Sequence, residues 1–216
     1  TTFAIEGMGS LLLALRFIPM FGWLKGIYFS VFHAISAFCN AGFDLFGNSL
    51  IDFTDDILIN FTIMGLVILG GLGFTVINDV RIKRFSFKEW SLHTKLVIVG
   101  TVFLIVAGFV FFLLIEYNNM FKPYEFHTKV LAAFFQSVTL RTAGFKTIPQ
   151  EGLTSASKLF MSILMLIGAS PASTGGGIKT TTAVVILLLL KSVARGENDV
   201  VAFKRRISTE IVYRAV

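Results

Sequence analysis

Apolar residues in this chain fall into runs of two lengths, divided by short polar segments. Residues 1–17 close on Gly9-Ser10-Leu11-Leu12-Leu13-Ala14-Leu15 and read as the tail of a membrane span, with Pro19-Met20-Phe21-Gly22 as the turn after it. The next run, Leu24 to Phe38, is apolar but short. As a helix rising ~1.5 Å per residue it covers about two-thirds of a ~30 Å hydrocarbon core. A polar, acidic surface segment with Asp52, Asp55 and Asp56 follows, and then Ile57–Ile77, which is long enough to span. The order then recurs: a crossing through Leu96–Ile115, a loop with Pro123, and a second short helix over Phe126–Leu140. Beyond Lys158 the apolar pattern is split into Leu159–Ile167, Gly168–Thr182 and Ala183–Leu190, and neither flank spans alone. From Ile207 onward another span begins.

Each short helix leads into the same tripeptide. Ala41-Gly42-Phe43 and Ala143-Gly144-Phe145 lie 102 residues apart, and the same offset pairs Phe32 with Phe134 and Gly73 with Gly175. Chance likeness among Phe- and Gly-rich segments could give three identities, but it would not also match the order of segment lengths and charge runs. A loop that follows a half-length helix and precedes a full one has the form of a re-entrant pore loop.

Composition places this repeat in a bilayer. Hydrophobic residues make up 55% of the chain and charged ones 15%, with a mean hydropathy of +0.78 and 24 Phe, so the protein is read as a membrane protein. The single cysteine, Cys39, excludes an internal disulfide and any multi-cysteine metal site. The chain has no initiator Met and both ends sit at partial spans, so it is read as an interior piece of a longer protein. A net charge of +6 raises the question of nucleic acid, but the basic residues stand in short runs between apolar segments, which topology explains. One run holds Arg81, Lys83, Arg84, Lys88 and Lys95 against Glu89, and the other holds Lys191, Arg195, Lys204, Arg205 and Arg206. The positive-inside bias puts loops 80–95 and 191–206 in the cytoplasm, makes 44–56 and 146–158 the outer segments, and opens both Ala-Gly-Phe loops from outside. The Asn60-Phe61-Thr62 sequon then falls in a span.

Irregular backbone at membrane depth is tolerated where protein or water satisfies it, so a repeated loop there lines an aqueous path. Glycine can take φ > 0 and lets successive carbonyls face one axis, where they replace the hydration shell of a cation. Helix C-termini aimed at the same place favour cations and repel anions. The candidate filter is therefore Asn40, Ala41, Gly42 and Phe43 with Thr142, Ala143, Gly144 and Phe145, and the candidate ligands are the carbonyls of Asn40, Ala41, Gly42, Thr142, Ala143 and Gly144. Phe43 and Phe145 are expected to pack in the wall. Close helix packing is the competing explanation of the two glycines. Arg141 either holds the loop through its carbonyls or snorkels to the surface.

The break in the last apolar run is the second informative stretch. Pro171 with Gly175-Gly176-Gly177 does not hold a stable helix, and Lys179 is a charge at membrane depth. Gly168, Ser170, Pro171, Ser173, Thr174, Gly175, Gly176, Gly177 and Lys179 are read as a flexible loop inside the pore, able to obstruct or clear it. A static kink, its freed groups satisfied by Ser173, Thr174 and Thr180–Thr182, is the alternative. A phosphate-binding loop would need a glycine immediately before the lysine and a preceding strand, and has neither. Gly65, Gly70, Gly71 and Gly73 read as room for close packing beside the axis. His33, His93 and His127 fall in different segments without ligand spacing, and no catalytic constellation is present. Asp55-Asp56 reads as a solvated helix start, with an unspecific part in drawing cations to the mouth.

The segments Phe32–Asp44, Phe135–Phe145, Ser173–Thr180 and Ser91–Lys95 closely resemble the Ktr/Trk/HKT superfamily of potassium transporters, nearest to the membrane subunits of bacterial Ktr systems. The resemblance covers nearly the whole chain. It implies an all-α polytopic protein with four units of span, pore helix, filter and span around a pseudo-fourfold pore, assembled as a homodimer. Residues 1–84 would be most of the second unit, 85–195 the third with its broken second span, and 196–216 the start of the fourth. Gly42 and Gly144 would be filter glycines with K+ at the carbonyls named above, and Gly168–Thr182 the intramembrane gating loop. It further implies potassium uptake across the cell membrane, sodium stimulation, no covalent cofactor, and a cytoplasmic nucleotide-binding ring as the only route for a nucleotide. Filter segments one and four are not in this sequence. An alternating-access carrier built from inverted repeats is a rival, against which both loops here enter from the same side. An intramembrane enzyme or lipid-phosphate binder using Lys179 would need an acid, base or nucleophile at depth, and the sequence offers none.

Overall fold

The computed structural model describes residues 2–84, 86–196, 199–203, 205–207 and 212. Its helices are α1 (Thr2–Phe21), α2 (Trp23–Phe38), α3 (Ile57–Leu72), α4 (Phe74–Lys83), α5 (Leu92–Glu116), α6 (Phe126–Thr139), α7 (Ser155–Leu166) and α8 (Thr180–Ala194). A small antiparallel pair, β1 (Val201–Ala202) and β2 (Arg205–Arg206), follows α8. The span expected from Ile207 onward, apart from Ile207 and Val212, lies outside the described residues, as does Lys204 of the second basic run.

Alone among the described helices, α1 and α5 are long and apolar enough to cross a membrane. Helix α1 continues through Pro19, whose fixed φ suits a helix, and the expected turn narrows to Gly22 at φ 83°. Helix α5 starts earlier than hydropathy suggests because Ser91 caps it, its hydroxyl accepting from the Thr94 amide at 3.1 Å. Val99, Val102, Phe103, Val106 and Val110 on α5 are exposed, while Gly100, Ile105, Gly108 and Phe112 are buried against the other helices. That division is an apolar face left open by the described residues and a packed face turned toward them.

The expected span Ile57–Ile77 is present as a bent pair of helices. Helix α3 stops at Leu72, and α4 leaves at 95° to it. Gly73 turns the chain at φ 83°, ψ 153°, and a Cβ there would lie 2.7 Å from the Pro171 carbonyl oxygen. The helical ladder is completed from elsewhere: the Ser170 hydroxyl donates to the Leu72 carbonyl, and the Phe74 amide donates to the Ala172 carbonyl at 3.1 Å. The bend is therefore built jointly by Gly73 and the loop that precedes α8.

One core joins α1, α2, α3 and α6 through Leu13, Phe17, Phe29, Phe38, Ile63 and Phe135. Within it His33 stacks on Phe46 at 4.5 Å, with its Nδ1 on the Phe29 carbonyl at 2.7 Å and its Nε2 accepting from the Leu45 amide at 3.3 Å. The bonds fix a neutral, structural imidazole. A second core joins α5, α6 and α7 through Phe112, Phe121, Ala132 and Leu164, and a third joins the start of α5 to α8 and the β pair through Leu96, Val185 and Ala202. Outer segments of the two repeats are tied directly, the Leu50 amide donating to the Lys146 carbonyl at 2.9 Å and the Lys146 amide to the Ser49 hydroxyl at 3.0 Å.

Candidate functional site

Helix α2 has 16 residues and α6 has 14, so each is ~20–25 Å long and ends inside the thickness of a bilayer. Both end in left-handed backbone. Asn40 has φ 50°, its amide donates to Ala37 O at 3.1 Å, and the Ala41 amide reaches back to Ser36 O at 2.9 Å. That paired closure stops the helix and swings the chain sideways. At α6 the equivalent residue, Thr142, has φ 64°, and the Ala143 amide donates to Thr139 O at 3.0 Å. Two residues on, Gly42 and Gly144 again have positive φ, 72° and 89°.

A hydroxyl from the last turns of each helix pins the far end of its loop. Ser36 Oγ donates to Phe43 O at 2.8 Å, and Thr139 Oγ1 donates to Phe145 O at 2.5 Å. Between those pins the carbonyls of Asn40, Ala41, Gly42, Thr142, Ala143 and Gly144 accept no hydrogen bond from any described residue. The two loops also touch. A Cβ on Gly42 would fall 2.4 Å from Ala143 O and 2.8 Å from Gly144 Cα, and one on Gly144 would fall 3.2 Å from Gly42 Cα. Residues 102 apart in sequence are thus in backbone contact. Ala143 and Phe145 are buried in the core that also holds Leu50 and Phe53 of the first repeat, but Phe43 is 69% exposed. Phe145 is packed among the described residues, and Phe43 is left exposed by them. A cavity of about 410 Å³ adjoins the second loop, lined by Gln136, Thr142, Gly144, Gln150, Met161 and Met165 among others.

The segment between α7 and α8 folds back on itself directly beside these loops. Ile167 and Ile178 form a parallel bridge, the Gly168 amide donates to Ile178 O at 2.9 Å, and the Ala169 amide donates to Gly176 O at 3.2 Å. One side docks on the α3–α4 bend, where the amides of Ser170 and Thr174 donate to Gly71 O and Gly70 O at 3.1 and 3.4 Å. The other side reaches both Ala-Gly-Phe loops. Asn40 Nδ2 donates to Thr174 Oγ1 at 2.8 Å, Thr174 Oγ1 donates to Phe38 O at 3.0 Å, and the Gly176 amide donates to Thr142 Oγ1 at 3.2 Å. Gly70 admits this approach because a Cβ there would fall 1.9 Å from Phe38 O. Ser173 Oγ donates to Ser170 O at 2.6 Å, and Lys179 Nζ donates to Gly175 O at 3.0 Å. In this arrangement the loop is well bonded, with Gly177 at φ 77° and Pro171 at its turn.

Arg141 meets neither expectation. It is 94% buried by its 6% residual exposure, so it does not snorkel, and its Nη2 donates at 3.2 Å to Thr180 Oγ1, not to a loop carbonyl. Thr180 Oγ1 in turn donates to Gly168 O at 2.9 Å, so the chain joins the end of α6 to the start of α8. Ser36 and Thr139 as pins, and Gly73 as a bend, add to the residues expected from the sequence. The 102-residue pairing of Gly73 with Gly175 was the available signal for the bend. Among the described residues no three His, Cys, Asp or Glu side chains gather as a metal site.

Comparison with known proteins decides the family. Residues 11–216 match the family model described as "TrkH: Cation transport protein". The chain belongs to the TrkH family. It is 43% identical over 220 residues to Ktr system potassium uptake protein B of Vibrio alginolyticus, covering 100% of this chain and 48% of that protein. It is 40% identical over 213 residues to potassium/sodium uptake protein NtpJ of Enterococcus hirae, covering 98% of this chain and 47% of the relative. The potassium transporter TrkH from Vibrio parahaemolyticus has the same fold, with a TM-score of 0.78 at 18% identity over 99% of this chain and 46% of that one. The chain spans about half the length of the relatives it matches. The family model is described as a cation transport protein and these relatives as uptake proteins, not as enzymes.

Proposed function

We propose that the protein containing this chain takes up potassium ions across the cell membrane through a carbonyl-lined pore, and that these residues supply two of its filter loops and its gate. The observation that carries the reading is the set of six unengaged carbonyls, at Asn40–Gly42 and Thr142–Gly144, on two touching loops at the ends of half-length helices. Such oxygens can take the place of water around a cation, and the C-terminal ends of α2 and α6 add negative potential there. Relatives described as potassium and potassium/sodium uptake proteins support the choice of ion and leave room for a sodium effect. The loop from Gly168 to Lys179 lies beside both filter loops and is tied to each, which suits a gate better than a remote kink. As a Ktr-type membrane subunit the protein would act as a homodimer on a cytoplasmic nucleotide-binding ring.

The test is ion preference in the full-length protein. In proteoliposomes, rubidium uptake is expected to be blocked by excess potassium and little affected by equal sodium. Gly42→Ser or Gly144→Ser should erase that difference, because a Cβ at Gly42 meets Ala143 O at 2.4 Å and both positions need positive φ. Retained preference in both variants would remove the filter assignment.

A further inference from the structure

On the outward side of the gap between α3, α5 and α6 is an apolar slot of about 360 Å³. Its walls are Phe61 of α3, Phe109 of α5, and Val130, Leu131 and Phe134 of α6. The Phe134 ring packs against both Phe61 and Phe109, with ring centroids at 6.2 and 6.0 Å, so one aromatic cluster forms the wall of the slot. Ile57 and Phe61 at its edge are 60% and 54% exposed, on the face the helices turn to lipid. His127 belongs to this slot and also to a polar pocket of about 480 Å³ between segments 51–55 and 123–128. That second pocket carries the carboxylates of Asp52, Asp55 and Glu125 and no Lys or Arg.

His127 Nδ1 stands 3.3 Å from Glu125 Oε2, so the hydrocarbon slot gives onto a pocket in which even the imidazole faces a carboxylate, an order of chemistries that complements an acyl chain followed by an ammonium. We propose that the slot and the acidic pocket together hold one phospholipid with an ammonium head group, a zwitterionic aminophospholipid, with an acyl chain between α3, α5 and α6. An anionic lipid would set its net charge against three carboxylates near the surface. The site draws Phe61, Asp52 and Asp55 from the first repeat and Phe109, Phe134 and Glu125 from the second, so the lipid would bridge the two pore units from outside.

The experiment uses the full-length protein in nanodiscs with phosphatidylethanolamine or phosphatidylglycerol, at equal mole fraction, carrying a photoreactive diazirine in the acyl chain. Labelled peptides are mapped by mass spectrometry. Peptides holding Phe61, Phe109 and Phe134 are expected to be labelled about three- to fivefold more by the ethanolamine lipid, since exposed charge pairs each shift a binding constant by well under tenfold. The surface variant Asp52→Asn/Asp55→Asn/Glu125→Gln should bring the two lipids to parity, and Val130→Trp, which fills the slot, should remove the label for both. Equal labelling in the parent protein, a preference for phosphatidylglycerol, or a preference that survives the triple variant would overturn the proposal. The triple variant changes only the rim and keeps the test valid if the tryptophan variant fails to fold.

Discussion

Thr174→Val is the sharpest single test of the link between loop and filter. The hydroxyl accepts from Asn40 Nδ2 at 2.8 Å and donates to Phe38 O at 3.0 Å, so one atom ties the α7–α8 loop to the end of α2. Valine keeps the shape and removes both bonds. Each such bond contributes roughly 0.5–1.5 kcal/mol net, and because Thr174 itself is exposed the pair is worth about 1–2 kcal/mol in all. That energy shifts a two-state equilibrium roughly 5- to 30-fold. If the tethered loop obstructs the pore, the variant clears it more often, and the initial rate of rubidium uptake into proteoliposomes should rise by up to that factor. On the proposed filter, potassium over sodium preference should stay, since none of its six carbonyls is altered. An unchanged or slower rate at equal protein amount would refute the reasoning and return the loop to a static role.

Gly73→Ala should destabilise the full-length protein by about 1–3 kcal/mol, seen as a lower Tm in detergent, because φ 83° and the Pro171 carbonyl 2.7 Å away both exclude a Cβ; an unchanged Tm would show the bend is not forced there. Glu116, fully buried at the end of α5, accepts from Asn119 Nδ2 at 2.7 Å, from the Thr154 amide and hydroxyl at 3.0 and 2.8 Å, and from Ser157 Oγ. Glu116→Gln turns a donor toward those donors and should lower stability by about 1–3 kcal/mol while leaving ion preference intact. Asp79 joins α4 to the start of α5, accepting from Thr94 Oγ1 at 2.6 Å and the Ser91 amide at 2.9 Å and pairing with Lys83 at 2.6 Å. Asp79→Ala should therefore speed proteolysis of the segment between α4 and α5, with the outer loops unaffected.

The repeat was legible because left-handed backbone leaves a mark in sequence: Gly42 and Gly144 stand where a Cβ would strike the other loop. The short helices were legible from their length alone. Other features were hidden because their causes lie far along the chain. The α3–α4 bend is completed by Ser170, 98 residues from Leu72, so the glycines of α3 read equally well as packing room. Arg141 directly precedes the second Ala-Gly-Phe loop but is held by Thr180, 39 residues on, which no local pattern announces. Phe43 and Phe145 are equivalent in sequence and differ in burial, since Phe145 belongs to the core shared by both repeats and Phe43 does not.

The most direct test of the central claim is to locate the ion. Crystals of the full-length protein soaked in rubidium or thallium should show anomalous density bounded by the carbonyls of Asn40, Ala41 and Gly42 on one side and of Thr142, Ala143 and Gly144 on the other, and that density should fade when potassium is added back. Anomalous ions found only elsewhere, with those carbonyls unoccupied or turned onto amides, would contradict the account.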